Sequence, residues 1–168
     1  PARVDGSADK RPFDTPRCTI GATQGERWAA SSTRSRFVES LSNPTLRIAD
    51  LKAVVAFCRD HGITSVIDNT FASPVNYRPL EAGFDVELHS ATKYLNGHSD
   101  LVAGCVISSA SIIERVTHKL NHLGGMLDPH ACFLLQRGLK TLALRVAEQN
   151  TNAVYLAERL AAHPAVDH

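Results

Sequence analysis

The chain of 168 residues sets 18 basic side chains against 17 acidic ones, with 43% hydrophobic and 21% charged residues. That balance excludes a wholly disordered polypeptide and supplies no general field for nucleic acid or anionic lipid. No run of about 18 apolar residues offers a membrane span, and no apolar leader stands at the start.

Residues 1–36 carry seven basic and four acidic residues and three prolines (Pro1, Pro12, Pro16). They show no helical or strand period, so a poorly ordered amino-terminal arm is expected there. From Phe37 the pattern alternates. A strand is predicted over 36–40, ending at the turn Ser42-Asn43-Pro44. A helix follows over 48–61, with apolar residues at 48, 51, 54, 55 and 58 and Gly62 just past its end. Residues 64–68 read as a buried strand, 71–79 as a proline-rich loop and 81–83 as a turn. Strands are expected at 86–90 and 101–108, then a helix over 111–121 and one long helix or two in tandem over 129–162. No internal repeat is present. Strands separated by helical crossovers predict an α/β fold with an open, mostly parallel sheet.

In such sheets the chemistry sits at the carboxyl ends of the strands. Residues 39–43, 68–70 and 90–93 therefore form the short list, on loops whose parent strands lie about 4.8 Å apart. A lysine at a buried strand end is costly unless it is paired or used covalently, and desolvation makes its neutral amine available to a carbonyl. Pyridoxal 5'-phosphate asks for this set of groups. Its aldehyde needs a lysine, its pyridine nitrogen an anion, its phosphate hydroxyls and its phenolic oxygen a donor. Lys93, Asp68, Ser90 with Thr92, and Asn43 can fill those roles in turn. The residues alone leave plainer readings open, since an Asp after a strand often caps the next element and Ser-x-Thr-Lys is often a simple turn.

The stretch His89-Ser90-Ala91-Thr92-Lys93-Tyr94-Leu95-Asn96-Gly97-His98-Ser99-Asp100 resembles the cofactor-lysine motif of the Cys/Met-metabolism enzymes that depend on pyridoxal phosphate. Glu39-Ser40-Leu41-Ser42-Asn43-Pro44-Thr45 and Val66-Ile67-Asp68-Asn69-Thr70-Phe71-Ala72-Ser73-Pro74 match the same family. So do Gly124-Gly125-Met126-Leu127-Asp128-Pro129 and Arg137-Gly138-Leu139-Lys140-Thr141-Leu142. The family includes cystathionine γ-synthase, cystathionine β- and γ-lyases, methionine γ-lyase and O-acetylhomoserine sulfhydrylases. The resemblance implies the fold type I α/β/α sandwich of the PLP-transferases, with residues 37–163 as part of its large domain and 164–168 as the start of a further, carboxyl-terminal domain. It also implies Lys93 as the cofactor lysine and Asp68 as the partner of the pyridine nitrogen. Ser90 and Thr92 are implied as phosphate ligands and Asn43 as the contact to the ring oxygen. The implied chemistry is transsulfuration on a sulfur amino acid or an activated homoserine, in a homotetramer built as a dimer of dimers.

The resemblance covers about residues 37–168. The tyrosine that stacks on the ring in this family, its glycine-containing phosphate loop and the arginine for the substrate carboxylate find no counterpart here. Weak or absent activity is thus expected of the chain by itself, the alternative reading being an inactive chain that binds only the cofactor or a full-length partner. A nucleotide-binding Rossmann domain is disfavoured, because no G-x-G-x-x-G follows a strand.

Several other residues are read as structural. Cys18, Cys58, Cys105 and Cys132 lie 40, 47 and 27 residues apart, without the dense spacing of a disulfide framework or the paired thiolates of a zinc site. They are read as reduced, small hydrophobes in a cytoplasmic protein. His118 and His122, spaced i, i+4, are taken as a solvated helix face rather than metal ligands. His89 and His98 are expected to shape the lysine loop, Tyr94 to pack, and Gly124-Gly125 to turn. Leu134, Leu135, Leu139 and Leu142 are read as core or subunit interface.

Overall fold

A computed structural model describes residues 34–166. The expected amino-terminal arm lies, but for its last three residues, outside the described residues, as does Cys18. Four strands form one sheet: β1 (Ser35–Glu39), β2 (Thr64–Asp68), β3 (Val86–Ser90) and β4 (Gly104–Ser108), in that spatial order. The first three run parallel and β4 pairs antiparallel with β3. Five helices accompany them: α1 (Leu51–Asp60), α2 (Ser73–Asn76), α3 (Ala110–Leu123), α4 (Pro129–Leu139) and α5 (Leu142–Ala161).

Alternation along the strands decides what each face carries. Val38 stands opposite Ile67, and Ile67 opposite Glu87, so these share one face. There Val38, Val55, Ile67 and Phe84 form a core under α1, joined by Leu51, Val54 and Tyr77. Ala91, Leu95, Leu142 and Val146 make a second cluster, into which Cys105 and Leu135 pack, and it joins the turn after β3 to α5. The other face carries Phe37, which is 46% exposed, and Val106, together with Glu39, Asp68 and Ser90 at its carboxyl edge.

The sequence expectations hold with local shifts. Helix α1 starts at Leu51 rather than at Ile48, because the Asp50 carboxylate accepts from the Ala53 N–H and fixes the first turn there. Ile48 is left exposed. The loop over 71–79 contains the one-turn helix α2, which Pro74 suits by its fixed φ. Strand β4 is shorter than expected, beginning at Gly104, because Ala103 is tied sideways to Thr92. The tandem reading of 129–162 is the one realised, with the break at Lys140 and Thr141.

At the amino edge, Asp85 Oδ2 accepts from both the Ser65 N–H and the Ser65 hydroxyl at 2.7 Å, while Ser65 Oγ accepts from the Asp85 N–H at 2.9 Å. This reciprocal pair sets the β2–β3 register. In parallel strands a fixed register at one edge fixes the other. Glu39 thus lies beside Asp68, and Ser90 emerges next to them.

Candidate active site

Those strand ends open into a cleft of about 1020 Å³ whose walls include Asn43, Asp68, Ser90, Thr92 and Lys93. All five residues singled out in the sequence meet there. Glu39, Thr70, Tyr94, Arg145 and Gln149 contribute to the same walls.

Asp68 ends β2. Its Oδ1 accepts from the Thr70 N–H at 2.9 Å and from the Thr70 hydroxyl at 2.5 Å. Thr70 Oγ1 in turn accepts from the Ser90 N–H at 2.8 Å. One hydroxyl therefore bridges the ends of β2 and β3 and holds the carboxylate by one oxygen. Among the described residues nothing donates to the other oxygen, Oδ2.

The segment after β3 turns at once. The Lys93 N–H donates to Ser90 O at 3.0 Å and the Gly97 N–H to Lys93 O at 2.7 Å. Thr92 Oγ1 donates to Ala103 O at 3.3 Å and accepts from the Ala103 N–H at 3.0 Å, which ties the turn to the approach of β4. Lys93 itself is exposed. The expectation of a lysine at a buried strand end is corrected here. Lys93 stands three residues beyond β3 on a turn, where its side chain is exposed.

Asn43 is also exposed, on the turn after β1, where its N–H donates to Glu39 Oε2 at 3.1 Å. The Asn43 amide, the Ser90 hydroxyl and the Lys93 amine have no hydrogen-bond partner among the described residues. Thr92 is the exception, its hydroxyl being engaged by Ala103.

Asn69, on the short list from its position, faces away. Its side chain donates to Tyr77 O at 2.9 Å and to Glu87 Oε1 at 3.0 Å. Glu87 Oε1 also lies 2.7 Å from His89 Nε2, in a pair that is almost wholly buried. His89 was expected to shape the lysine loop; it belongs instead to this cluster on the face opposite the cleft. Burial, and then the Glu87 charge, push the Tyr77 and Cys105 acid groups above their usual values. His98 does shape the loop, its Nδ1 lying 2.7 Å from Asn96 O.

The other structural readings divide. Cys58 is buried and Cys105 half-buried, but Cys132 is exposed on α4, so the reading of every cysteine as a packed hydrophobe fails there. The His118 and His122 ring centroids lie 4.4 Å apart on exposed α3, tilted by 32°, and no cluster of metal-ligating side chains exists among the described residues. Gly124 turns as expected, with φ 73° at the end of α3. Leu142 is buried and Leu135 packs beside it, while Leu139 is exposed.

Sequence reasoning gave no role to Thr70 or Arg145. Thr70 stood inside a quoted motif, yet nothing in the sequence says that its hydroxyl spans two strands. Arg145 offered no signal, because three of its four acceptors are main-chain carbonyls.

Residues 20–168 match the family described as Cys/Met metabolism PLP-dependent enzyme. The chain belongs to this family. The match starts ahead of the first motif, at residue 20, so it extends beyond the segment from Phe37. Chloroplastic cystathionine gamma-synthase 1 of Arabidopsis thaliana is 46% identical over 132 residues, which are 79% of this chain and 23% of that protein. L-methionine gamma-lyase of Pseudomonas putida is 45% identical over 140 residues, covering 81% and 35% respectively. Among solved structures, cystathionine gamma-lyase from Lactobacillus plantarum complexed with L-serine superposes with a TM-score of 0.81 at 40% identity. That alignment covers 84% of this chain and 37% of the other. The chain thus spans about a quarter to a third of the length of these curated relatives, and its fold is part of their α/β/α sandwich.

Proposed function

We propose that the cleft binds pyridoxal phosphate and that residues 37–163 are part of the cofactor-binding domain of an enzyme acting on C–S bonds. The observation that carries this reading is the unpartnered donor set. Lys93 Nζ, Asp68 Oδ2, Ser90 Oγ and the Asn43 amide face one cleft without partners among the described residues, which suits a ligand with an aldehyde, a basic ring nitrogen, a phosphate and a phenolic oxygen. Lys93 would hold the aldehyde carbon, Asp68 Oδ2 the ring N–H, Ser90 the phosphate and Asn43 the ring oxygen. Thr92 can serve the phosphate by turning its proton from the long 3.3 Å contact with Ala103 O.

When bound, the cofactor supplies an electron sink for charge left at a substrate Cα. The chain's own residues do the rest. Asp68, held by Thr70, would stand beside the ring nitrogen and favour its protonated form. Lys93 Nζ would be the base that takes the Cα proton and returns it. The proposed substrates are small sulfur amino acids or activated homoserine, in line with the relatives, and the proposed partner is a second copy of the chain. Leu123 and Leu144, exposed on α3 and α5, suit such an assembly.

The openness of the cleft and the exposure of Lys93 favour a second reading for the chain by itself, namely binding without turnover. One experiment addresses both. The chain is incubated with pyridoxal phosphate, reduced with borohydride, and mapped by mass spectrometry, alongside assays with cystathionine, methionine and O-acetylhomoserine. The label is expected at Lys93 ahead of the other four lysines, with the visible absorbance of bound cofactor lost in Lys93→Ala. Even labelling of all lysines, or an unchanged band in that variant, overturns the cofactor site. Labelling without turnover leaves the binding reading standing and removes the catalytic one.

A further inference from the structure

Arg145 lies on α5, in the wall of the cleft. Its guanidinium has no carboxylate partner among the described residues. Instead Nη1 donates to Tyr94 O at 2.9 Å, and Nη2 to Gly138 O at 2.9 Å and to Leu95 O at 3.4 Å. Nε donates to Thr141 Oγ1 at 3.1 Å. A part-buried cation spent wholly on neutral oxygens is an uncommon use of an arginine, whose planar fork is otherwise matched to carboxylate or phosphate. Here the fork is matched to backbone. It joins the two peptide groups directly after Lys93 to the end of α4 and to the first turn of α5.

The junction leaves no slack. A Cβ on Gly97 would sit 2.1 Å from Arg145 Nη1, and one on Gly138 would sit 2.2 Å from Asn96 O. Both glycines are therefore spaces that the guanidinium and the turn occupy. The turn's own hydrogen bonds are local, from the Lys93, Asn96 and Gly97 N–H groups to Ser90, Ala91 and Lys93 carbonyls. They fix its shape but not where it stands relative to α4 and α5. Lys93 is exposed, so packing of its own side chain does not fix it either.

We propose that Arg145 is a positioning residue, a guanidinium clamp that aims the Lys93 turn at the cleft by holding the Tyr94 and Leu95 carbonyls against α4 and α5. The proposal rests on the reading of Lys93 as the cofactor lysine. It predicts that the selectivity of pyridoxal phosphate for Lys93 over the other lysines depends on a side chain that need not touch the cofactor.

The test uses the full chain as wild type, Arg145→Gln, Arg145→Lys and Thr141→Val. Hydrogen exchange reads the Asn96 and Gly97 amides, and borohydride trapping reads where pyridoxal phosphate attaches. In Arg145→Gln these amides are expected to exchange about tenfold faster or more, as losing the equivalent of one or more net hydrogen bonds implies, with amides of α1 and β2 unchanged. Labelling of Lys93 relative to Lys52 and Lys119 should fall several-fold. Arg145→Lys, which keeps a cation able to reach one carbonyl, should recover part of both. Thr141→Val removes the Nε acceptor together with the hydroxyl's own 3.3 Å bond to Gly138 O and should give a smaller change of the same kind; it serves where Arg145→Gln does not fold. Unchanged exchange at Asn96 and Gly97, or faster exchange with undiminished Lys93 selectivity, overturns the proposal. Wild type that shows no preference for Lys93 removes the cofactor reading itself, a result distinct from failure of the clamp, which the exchange data report separately.

Discussion

Asp68 and Lys93 face the same cleft, yet one is carried by a sheet and the other by a turn. Asp68 ends a strand with strands on both sides, above Ile67, which is 0% exposed, and its carboxylate is gripped through Thr70. Lys93 stands outside any ladder. Its place depends on backbone bonds within the turn, on Ala91 and Leu95 in the second apolar cluster, and on Arg145 reaching across from α5. The anion is set by the register of parallel strands, the amine by a meeting of loop and helices. A mutation beneath the sheet should therefore disturb the first before the second, and one at the helix junction should do the reverse.

Ile67→Ala should give the largest effect. It empties a fully enclosed site among Val38, Val55 and Phe84 and should cost about 3 kcal/mol of stability. A urea unfolding curve measures this. An unchanged midpoint would mean that the cluster under α1 does not support the β2 end as described.

Gly138→Ala strikes the other side. Alanine near the end of α4 gains about 1 kcal/mol in helix propensity, but its methyl group meets Asn96 O, and such overpacking costs typically about 1–3 kcal/mol. The net expectation is a modest loss of stability, about 1 kcal/mol, with faster amide exchange confined to 93–97. A stabilised variant would show that the junction has slack after all.

Thr70→Val tests the grip on Asp68. It removes the hydroxyl that donates to Oδ1 and accepts from Ser90, while leaving the Thr70 N–H bond to Oδ1 in place. A loss of about 1 kcal/mol is expected, with several-fold weaker binding of pyridoxal phosphate in titration. Thr70→Ser should restore both. Equal binding by the valine variant would make the relay incidental to the carboxylate's placement.

The same division decides what could be read in advance. Short apolar segments between helical stretches made the four described strands legible and helical spacing made α1 legible, while the alternation of burial along Thr64–Asp68 appears only in the fold, where Ser65 and Ile67 are the covered positions. Asp68, Ser90 and Lys93 were legible because parallel topology sends strand ends to one edge. The local chemistry was not. Asn69 sits next to Asp68 in sequence and so falls on the opposite face, where it meets Glu87 and His89; placing that trio required the register. The exposure of Lys93 depends on the turn starting at Ser90, and the clamp by Arg145 joins carbonyls that no side-chain pattern encodes.

The smallest expected effect appears only in alkaline solution and again separates the two regions. Burial, before any other cause, raises the Cys58 thiol, with Arg36 opposing and Asp85 adding. Cys105, in the second cluster, is raised by burial and further by Glu87, so nothing opposes the shift there. Both are neutral when protonated, and both folded values lie above the unfolded ones. Once the pH passes the ordinary thiol range, the unfolded chain gives up these protons first and the folded chain retains them. The unfolded state then binds fewer protons, so stability falls as pH rises from the unfolded thiol value towards the folded one and is unaffected below it. Urea midpoints of wild type, Cys58→Ala and Cys105→Ala, each referred to its own value at neutral pH, should show a shallower alkaline decline in both variants. Cys58→Ala reports on the α1 side and Cys105→Ala on the second cluster. Parallel declines in all three proteins would remove the thiols from the pH dependence and leave Tyr77, which is raised in the same direction by burial and Glu87, as the group that titrates.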